Sequence, residues 1–246
     1  PEHVLICRSL NQPNNKLIEL LFCARTAREL GAKRLTLISP YLSYMRQDIA
    51  NQPGEAVSQR IMGQMLAELF DDVITVDPHL HRITSLDQAI PISNAISLTA
   101  ADYIAEFLKQ KFDHALLLGP DGESEQWVSV IANKIGFDFV VATKIRHGDT
   151  QVEMRLPDFD FSHQPVVIID DMASTGRTLS KATELLLEAG AEKIDAVITH
   201  PLFCGDAEAH ILQAGVKNIW STDSISHPTA CIYLDKLLAG AVRDIL

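Results

Sequence analysis

The sequence has few basic residues, few cysteines and no long apolar run. Its 21 Lys and Arg against 32 Asp and Glu give a formal net charge of −11, which argues against nucleic acid as the main partner because a phosphate backbone needs a basic face. The four cysteines (Cys7, Cys23, Cys204, Cys231) include no C-x-x-C pair, so we expect neither a disulfide framework nor a zinc site. Because no apolar stretch reaches membrane-spanning length and no signal peptide opens the chain, we expect a cytoplasmic protein without membrane partners.

What the sequence does have is a regular alternation of short apolar strands and longer helix-period segments. This alternation predicts an α/β fold built from parallel βαβ units. The chain of 246 residues, 47% of them hydrophobic, is large enough for two small domains or one large one. The predicted strands are Val4–Cys7, Leu35–Ser39, Val73–Val76, Ala115–Leu118, Phe139–Ala142, Val166–Ile169, Ala196–Thr199 and Asn218–Trp220. The predicted helices lie near 14–30, 56–69, 99–111, 124–135, 178–189, 205–214 and 233–244.

The stretch Pro91–Ser97 carries a proline and polar residues, breaks this rhythm and indicates a domain boundary. Residues 147–165 form a long polar segment, in which Val152–Leu156 is expected to form a short hairpin arm. The expected organisation is a first domain at 1–93, a second at 94–232, and a last helix at 233–246 that packs back on the first domain.

The most informative stretch is a strand followed by two acids and a turn of small residues. Val166–Ile169 reads as a buried parallel strand, and Asp170 and Asp171 follow it directly. A turn that enters a helix offers backbone N–H groups and hydroxyls to an anion, and the acids can accept hydrogen bonds from sugar hydroxyls. The residues of this turn are Ser174, Thr175, Gly176, Arg177 and Thr178. The stretch therefore predicts a ribose 5-phosphate site, and it resembles the phosphoribosyl-binding loop of type I phosphoribosyltransferases and ribose-phosphate pyrophosphokinases.

Two further strand ends in the first half carry polar side chains that suit a nucleotide. Arg46 and Gln47 follow the second strand, where a guanidinium can stack on a base or bind phosphate and an amide can read a base edge. His79 follows the third strand and can bind magnesium weakly or contact a phosphate. Taken alone, each also fits an ordinary surface loop.

Two strand ends in the second half carry a carboxylate and a pair of cations. Asp121 can hold magnesium or cap the next helix, and these roles are compatible. Lys144 and Arg146 alternate along an extended segment and therefore share one face. On a mobile arm they could neutralise a triphosphate, although a Lys-x-Arg pair alone usually marks a solvated edge.

The order of these segments resembles the ribose-phosphate pyrophosphokinase family over the whole chain. The run from Tyr41 to Asp48 is similar to the family's ATP-contacting segment, and Pro53–Ser58 is similar to its archaeal-type branch. The resemblance implies two phosphoribosyltransferase-like domains, magnesium, ATP and ribose 5-phosphate as substrates, and a homo-oligomer (dimer or hexamer). It assigns residues as follows: ATP to Arg46, Gln47 and Asp48; magnesium to His79 and Asp121; catalysis to Lys144 and Arg146; and ribose 5-phosphate to Arg146, Asp170, Asp171 and Ser174–Thr178.

Three departures from the family pattern keep other interpretations open. Relatives carry roughly fifty residues before the position of Pro1, about the size of one βαβ piece, and this part reaches a neighbouring subunit's ATP. Ile49 stands where a basic residue is usual, and Glu123 adds negative charge beside a phosphate site. The alternatives are a type I phosphoribosyltransferase and a non-catalytic homologue that regulates an active synthetase.

Overall fold

The chain divides into two compact units, Pro1–Thr99 together with Asp235–Leu246, and Ala100–Leu234. The structure, a computed structural model, describes residues 2–50, 52–80, 82–147 and 151–246, with only the backbone described at 145–147 and 151–152. No helix in these ranges is long and apolar enough to cross a membrane.

The first unit is a parallel sheet with helices on both faces. Its strands, in spatial and chain order, are β1 (His3–Cys7), β2 (Arg34–Ile38), β3 (Asp72–Val76) and β4 (Asn94–Leu98). Its helices are α1 (Pro13–Glu29), α2 (Ser58–Leu69) and, from the end of the chain, α7 (Asp235–Ile245). One face buries Leu35, Leu37 and Val73 in a core that includes residues of α1 and α2. The opposite face packs against α7.

The second unit contains a parallel sheet of six strands in the order β12-β11-β10-β9-β5-β6. Its elements are α3 (Ala101–Lys111), β5 (Leu116–Gly119), α4 (Glu125–Ile135), β6 (Phe139–Val141), β9 (Val166–Ala173), α5 (Arg177–Glu188), β10 (Ile194–Pro201), α6 (Ala207–Ala214), β11 (Ile219–Thr222) and β12 (Ala230–Ile232). An antiparallel pair, β7 (Thr143–His147) and β8 (Gln151–Arg155), stands apart from this sheet. The strand β9 lies between β5 and β10, so the carboxyl end of β9 is flanked on both sides by other strand ends.

The mainly parallel α/β fold predicted from the sequence is confirmed, and each predicted helix and strand has a counterpart in the structure. Two short edge strands, β4 and β12, were not predicted. The stretch 91–97, which was proposed as a domain boundary, contains most of β4. Because β4 pairs with β3 along its whole length, the observed division falls after Thr99. The predicted end of the sixth strand at Ile169 was wrong, since β9 continues to Ala173.

Candidate functional site

The turn between β9 and α5 is shaped by one glycine. Gly176 is the residue before the first turn of α5 and has φ +74°, a left-handed conformation that other residues adopt at a cost. A Cβ atom at this position would also lie 2.9 Å from the carbonyl oxygen of Ala207 and 2.9 Å from Cγ1 of Ile211. The turn therefore lies directly against α6, and only glycine fits there.

The turn presents a run of backbone N–H donors. Within the described part of the chain, the N–H groups of residues 174–178 make no hydrogen bond to a backbone carbonyl, whereas the carbonyl of Gly176 accepts from Ser180 at 2.9 Å and starts the helix. The first N–H groups of a helix have no partner in the helix itself and carry its positive dipole end. This arrangement suits a phosphate group.

The two acids before the turn differ in exposure. Asp170 Oδ1 accepts the N–H of Asp171 at 3.0 Å, so the two acids stay in contact although successive residues of β9 alternate between the faces of the sheet. Asp170 is partly exposed, and Asp171 is buried with 5% of its surface accessible. The Asp170 carboxyl group itself is enclosed by protein, and this burial raises its pKa well above the ordinary value. The nearby charges of Asp171 and Asp121 and a side-chain hydrogen bond with Asp171 raise that pKa further.

Asp121 is fixed by the loop that enters α4. Its Oδ1 accepts the N–H groups of Glu123 and Ser124 at 3.1 and 3.2 Å. The buried Ser124 hydroxyl donates to the Asp121 carbonyl at 2.5 Å. Oδ1 therefore accepts hydrogen bonds at the start of α4, whereas Oδ2 faces Lys144.

Lys144 lies on β7 and pairs with that second oxygen of Asp121. The same ammonium nitrogen lies 3.5 Å from the Thr178 hydroxyl oxygen, in the first turn of α5. The structure therefore brings together a lysine, an aspartate and the turn after β9, which belong to three separate segments of the chain. Arg146 also lies on β7, but its side chain is outside the described residues.

In the first unit, the segment after β2 is held by the start of α2. The Gln59 amide donates to the Met45 carbonyl at 2.8 Å, and its backbone N–H donates to the Gln47 carbonyl at 3.1 Å. Arg46 is exposed and Gln47 is partly exposed. The Asp48 side chain is only 4% exposed, and its Oδ1 accepts a hydrogen bond from Arg82 at 2.6 Å. Its Oδ2 is buried and has no hydrogen-bond partner among the described residues.

His79, the other magnesium candidate, follows β3 in this first unit and is 8% exposed. The turn before it contains Asp77, whose φ is +37° and whose N–H donates to the Leu98 carbonyl at 2.8 Å. Across the ranges that the structure describes, no group of three or more His, Cys, Asp or Glu side chains could hold a metal ion by itself. A magnesium ion held by one or two carboxylates together with substrate phosphates requires no such group.

The sequence interpretation missed two residues that shape these segments, Ser124 and Arg82. A serine at the start of the helix predicted at 124–135 is a signal that could have indicated the first. Arg82 carried no such signal, because its partner Asp48 lies 34 residues away in the sequence.

The sequence profile of the phosphoribosyl transferase domain matches residues 88–227, and that of the N-terminal domain of ribose phosphate pyrophosphokinase matches residues 1–69. A ribose-phosphate pyrophosphokinase of Methanobrevibacter smithii is 30% identical over 99% of this chain and 85% of its own length. Another, of Saccharolobus solfataricus, is 33% identical over 92% of this chain and 77% of its own length. The chain belongs to the ribose-phosphate pyrophosphokinase family.

A solved structure agrees with this family at the level of the fold. The crystal structure of phosphoribosylpyrophosphate synthetase from Mycobacterium smegmatis superposes with a TM-score of 0.83, at 22% identity. The superposition covers 99% of this chain and 81% of that one. Both phosphoribosyltransferase-like domains that the sequence predicts are therefore present in the fold of this chain.

Proposed function

We propose that this protein transfers the diphosphate of ATP to the anomeric hydroxyl of ribose 5-phosphate, which yields phosphoribosyl pyrophosphate and AMP for nucleotide biosynthesis. The observation that carries the proposal is the position of Lys144. Its ammonium group pairs with Asp121 and lies 3.5 Å from the hydroxyl oxygen of Thr178, in a turn whose N–H groups suit a phosphate. Membership of the family supplies the reaction type.

In this proposal the turn Ser174–Thr178 binds the 5-phosphate. The N–H groups of the turn and the hydroxyls of Ser174, Thr175 and Thr178 donate to the phosphate oxygens. Asp170, on the partly exposed face of β9, accepts hydrogen bonds from the ring hydroxyls. Asp171 is buried, so we assign it a structural part: it stabilises the end of β9, and its charge raises the pKa of Asp170.

Lys144 has the catalytic part. Transfer of a diphosphate needs mainly positioning and stabilisation of the charge that develops on the transferred group. The ammonium of Lys144 supplies positive charge beside the ribose-phosphate turn, and Arg146, two residues along the same strand, is its proposed partner. The anomeric hydroxyl oxygen attacks the β-phosphorus, the bond from that phosphorus to the bridging oxygen breaks, AMP leaves with that oxygen, and the hydroxyl proton is released to solvent water.

Magnesium fits the carboxylates of this site. Asp121 has one oxygen committed to the loop and one facing Lys144, and such hard oxygen donors are what magnesium prefers. The ion, when bound with the triphosphate, supplies charge neutralisation. In the first unit, His79 is the proposed magnesium contact and Arg46 and Gln47 are the proposed ATP contacts. We further expect a cytoplasmic homo-oligomer.

The test is AMP formation from ATP, magnesium and ribose 5-phosphate. Lys144→Ala should lower turnover by about 100-fold or more, the size seen for other preorganised charge stabilisers. Lys134→Ala is the matched control, because Lys134 is also paired with an aspartate, Asp102, in the same unit. Asp170→Ala should mainly weaken ribose 5-phosphate binding. Turnover of Lys144→Ala near that of the unaltered protein would remove Lys144 from catalysis.

A second assay, with phosphoribosyl pyrophosphate as the substrate, separates the other two interpretations. A type I phosphoribosyltransferase would form no AMP in the first assay but would release pyrophosphate from phosphoribosyl pyrophosphate when a nucleobase is added, although it would have no use for the N-terminal segment matched at 1–69. A regulatory homologue would form no AMP. The exposed Glu123 next to Asp121 is the feature in the structure that favours this second alternative.

A further inference from the structure

A second turn, at Pro201–Cys204, lies against the candidate phosphate turn. The N–H of Phe203 donates to the carbonyl of Ala173 at 2.9 Å, and the N–H of Cys204 donates to the carbonyl of Ser174 at 2.8 Å. Two consecutive amides of this turn thus hold two consecutive carbonyls at the end of β9.

Such a pair of bonds requires an unusual backbone at Phe203. In an extended strand, successive N–H groups point to opposite edges, so Phe203 and Cys204 could not both donate toward β9. The structure resolves this with φ +35° at Phe203, a conformation that a bulky residue rarely adopts. Backbone strain of this kind persists where the surrounding structure holds it, and it concentrates at functional sites.

The contacts of the Phe203 ring stabilise this backbone conformation. The ring is partly buried, packs on the core of the second unit and contacts the His227 ring at a centroid distance of 4.8 Å. His227 is fixed in turn, because its Nδ1 lies 2.9 Å from the Thr229 hydroxyl oxygen and its Nε2 lies 3.7 Å from a carboxylate oxygen of Glu208.

The consequence for the phosphate turn follows from peptide geometry. In a planar trans peptide the C=O of one residue and the N–H of the next point in opposite directions, and the described peptides are all trans. Because the carbonyls of Ala173 and Ser174 are held toward the second turn, the N–H groups of Ser174 and Thr175 point away from it. Neither N–H donates to a backbone carbonyl within the described residues.

We propose that Phe203 is a positioning residue for ribose 5-phosphate, because its left-handed backbone and stacked ring fix the carbonyls of Ala173 and Ser174 and thereby aim the next two amides at the 5-phosphate. This proposal rests on the proposed function. Phe203 acts through the turn and has no contact of its own with the sugar phosphate.

The test compares three substitutions at one position. Phe203→Ala loses the ring and disfavours the left-handed backbone. The KM and Kd for ribose 5-phosphate should therefore rise about tenfold or more, which is the loss of affinity expected when one charge-assisted hydrogen bond is lost. Phe203→Gly also loses the ring but adopts the left-handed backbone freely, so it should bind ribose 5-phosphate more tightly than Phe203→Ala. Phe203→Tyr should bind nearly as well as the unaltered protein. The KM for ATP should stay within about twofold in all three.

The matched control is Phe137→Ala, which removes another partly buried phenylalanine that contacts a histidine ring, at 5.7 Å from His114, in the same unit but before β6. It should leave ribose 5-phosphate binding unchanged. Binding is measured by calorimetry, with thermal midpoints recorded to confirm folding.

Two outcomes would overturn the proposal. The first is ribose 5-phosphate affinity in Phe203→Ala equal to that of the Phe137→Ala control. The second is weaker binding by Phe203→Gly than by Phe203→Ala, which would show that only the lost apolar volume matters. If the unaltered protein itself binds no ribose 5-phosphate, the proposed function fails instead, and the two failures are thus distinguishable.

Discussion

Gly176→Ala should destabilise the second unit and weaken ribose 5-phosphate binding, and Gly136→Ala is its matched control. Both glycines have φ +74° and lie just outside a helix end, but a Cβ atom at 136 would meet nothing within 4 Å. The left-handed conformation alone costs an alanine about 1–2 kcal/mol, and this cost is common to both variants.

The contact with α6 adds a second cost at Gly176 only. The new methyl group would lie 2.9 Å from the backbone oxygen of Ala207, and backbone cannot rotate away as a flexible side chain can. Overpacking of this kind typically costs about 1–3 kcal/mol. Gly176→Ala should therefore lower the free energy of unfolding by about 1–3 kcal/mol more than Gly136→Ala does.

Urea denaturation gives the two free energies, and calorimetry gives the ribose 5-phosphate affinities. Relief of the contact has to move the turn Ser174–Gly176 or the start of α6, so affinity should fall in Gly176→Ala alone. Equal losses of stability in the two variants, with equal affinities, would refute the close approach of α6 to the turn.

Two further predictions concern the charges of the site. The pKa of Asp170 is raised in the folded protein, so its stabilising effect is present at low pH and is lost as the pH rises through that raised pKa. Asp170→Asn should therefore raise the thermal midpoint near neutral pH while it weakens ribose 5-phosphate binding. A midpoint lower than that of the unaltered protein at pH 7 would contradict this prediction. Because the Lys144 ammonium pairs with Asp121, Lys144→Ala should tighten magnesium binding to the substrate-free protein about fivefold, as expected for one partly exposed ion pair. Titration calorimetry measures this change, and weaker magnesium binding in the variant would count against Asp121 as the metal contact.

The long, periodic elements could be predicted from the sequence because their apolar pattern is strong. The helices predicted at 14–30 and 178–189 end in the structure at Glu29 and Glu188. Gly31 and Gly190, which follow these ends, are left-handed, with φ of +93° and +92°, as is common just after a helix. The short edge strands carried no such pattern. No residue of β4 is fully buried, and β12 has only three residues, so neither could be told from a loop.

The local part of the site could be predicted, but its long-range contacts could not. The turn at Ser174–Gly176 follows from its own residues. The pairing of Lys144 with Asp121, residues 23 positions apart, depends on the path of the chain from β6 into β7, and no local pattern specifies that path. The two acids were expected to act together because the strand was expected to end at Ile169. Because β9 continues through them, the two residues differ in exposure instead: Asp170 is partly exposed and Asp171 is buried.

The most direct test of this account is a crystal structure of the protein with ribose 5-phosphate bound. We predict the phosphate at the N–H groups of residues 174–178 and the ring hydroxyls at Asp170. A sugar phosphate bound at another place, with this turn left empty, would contradict the account.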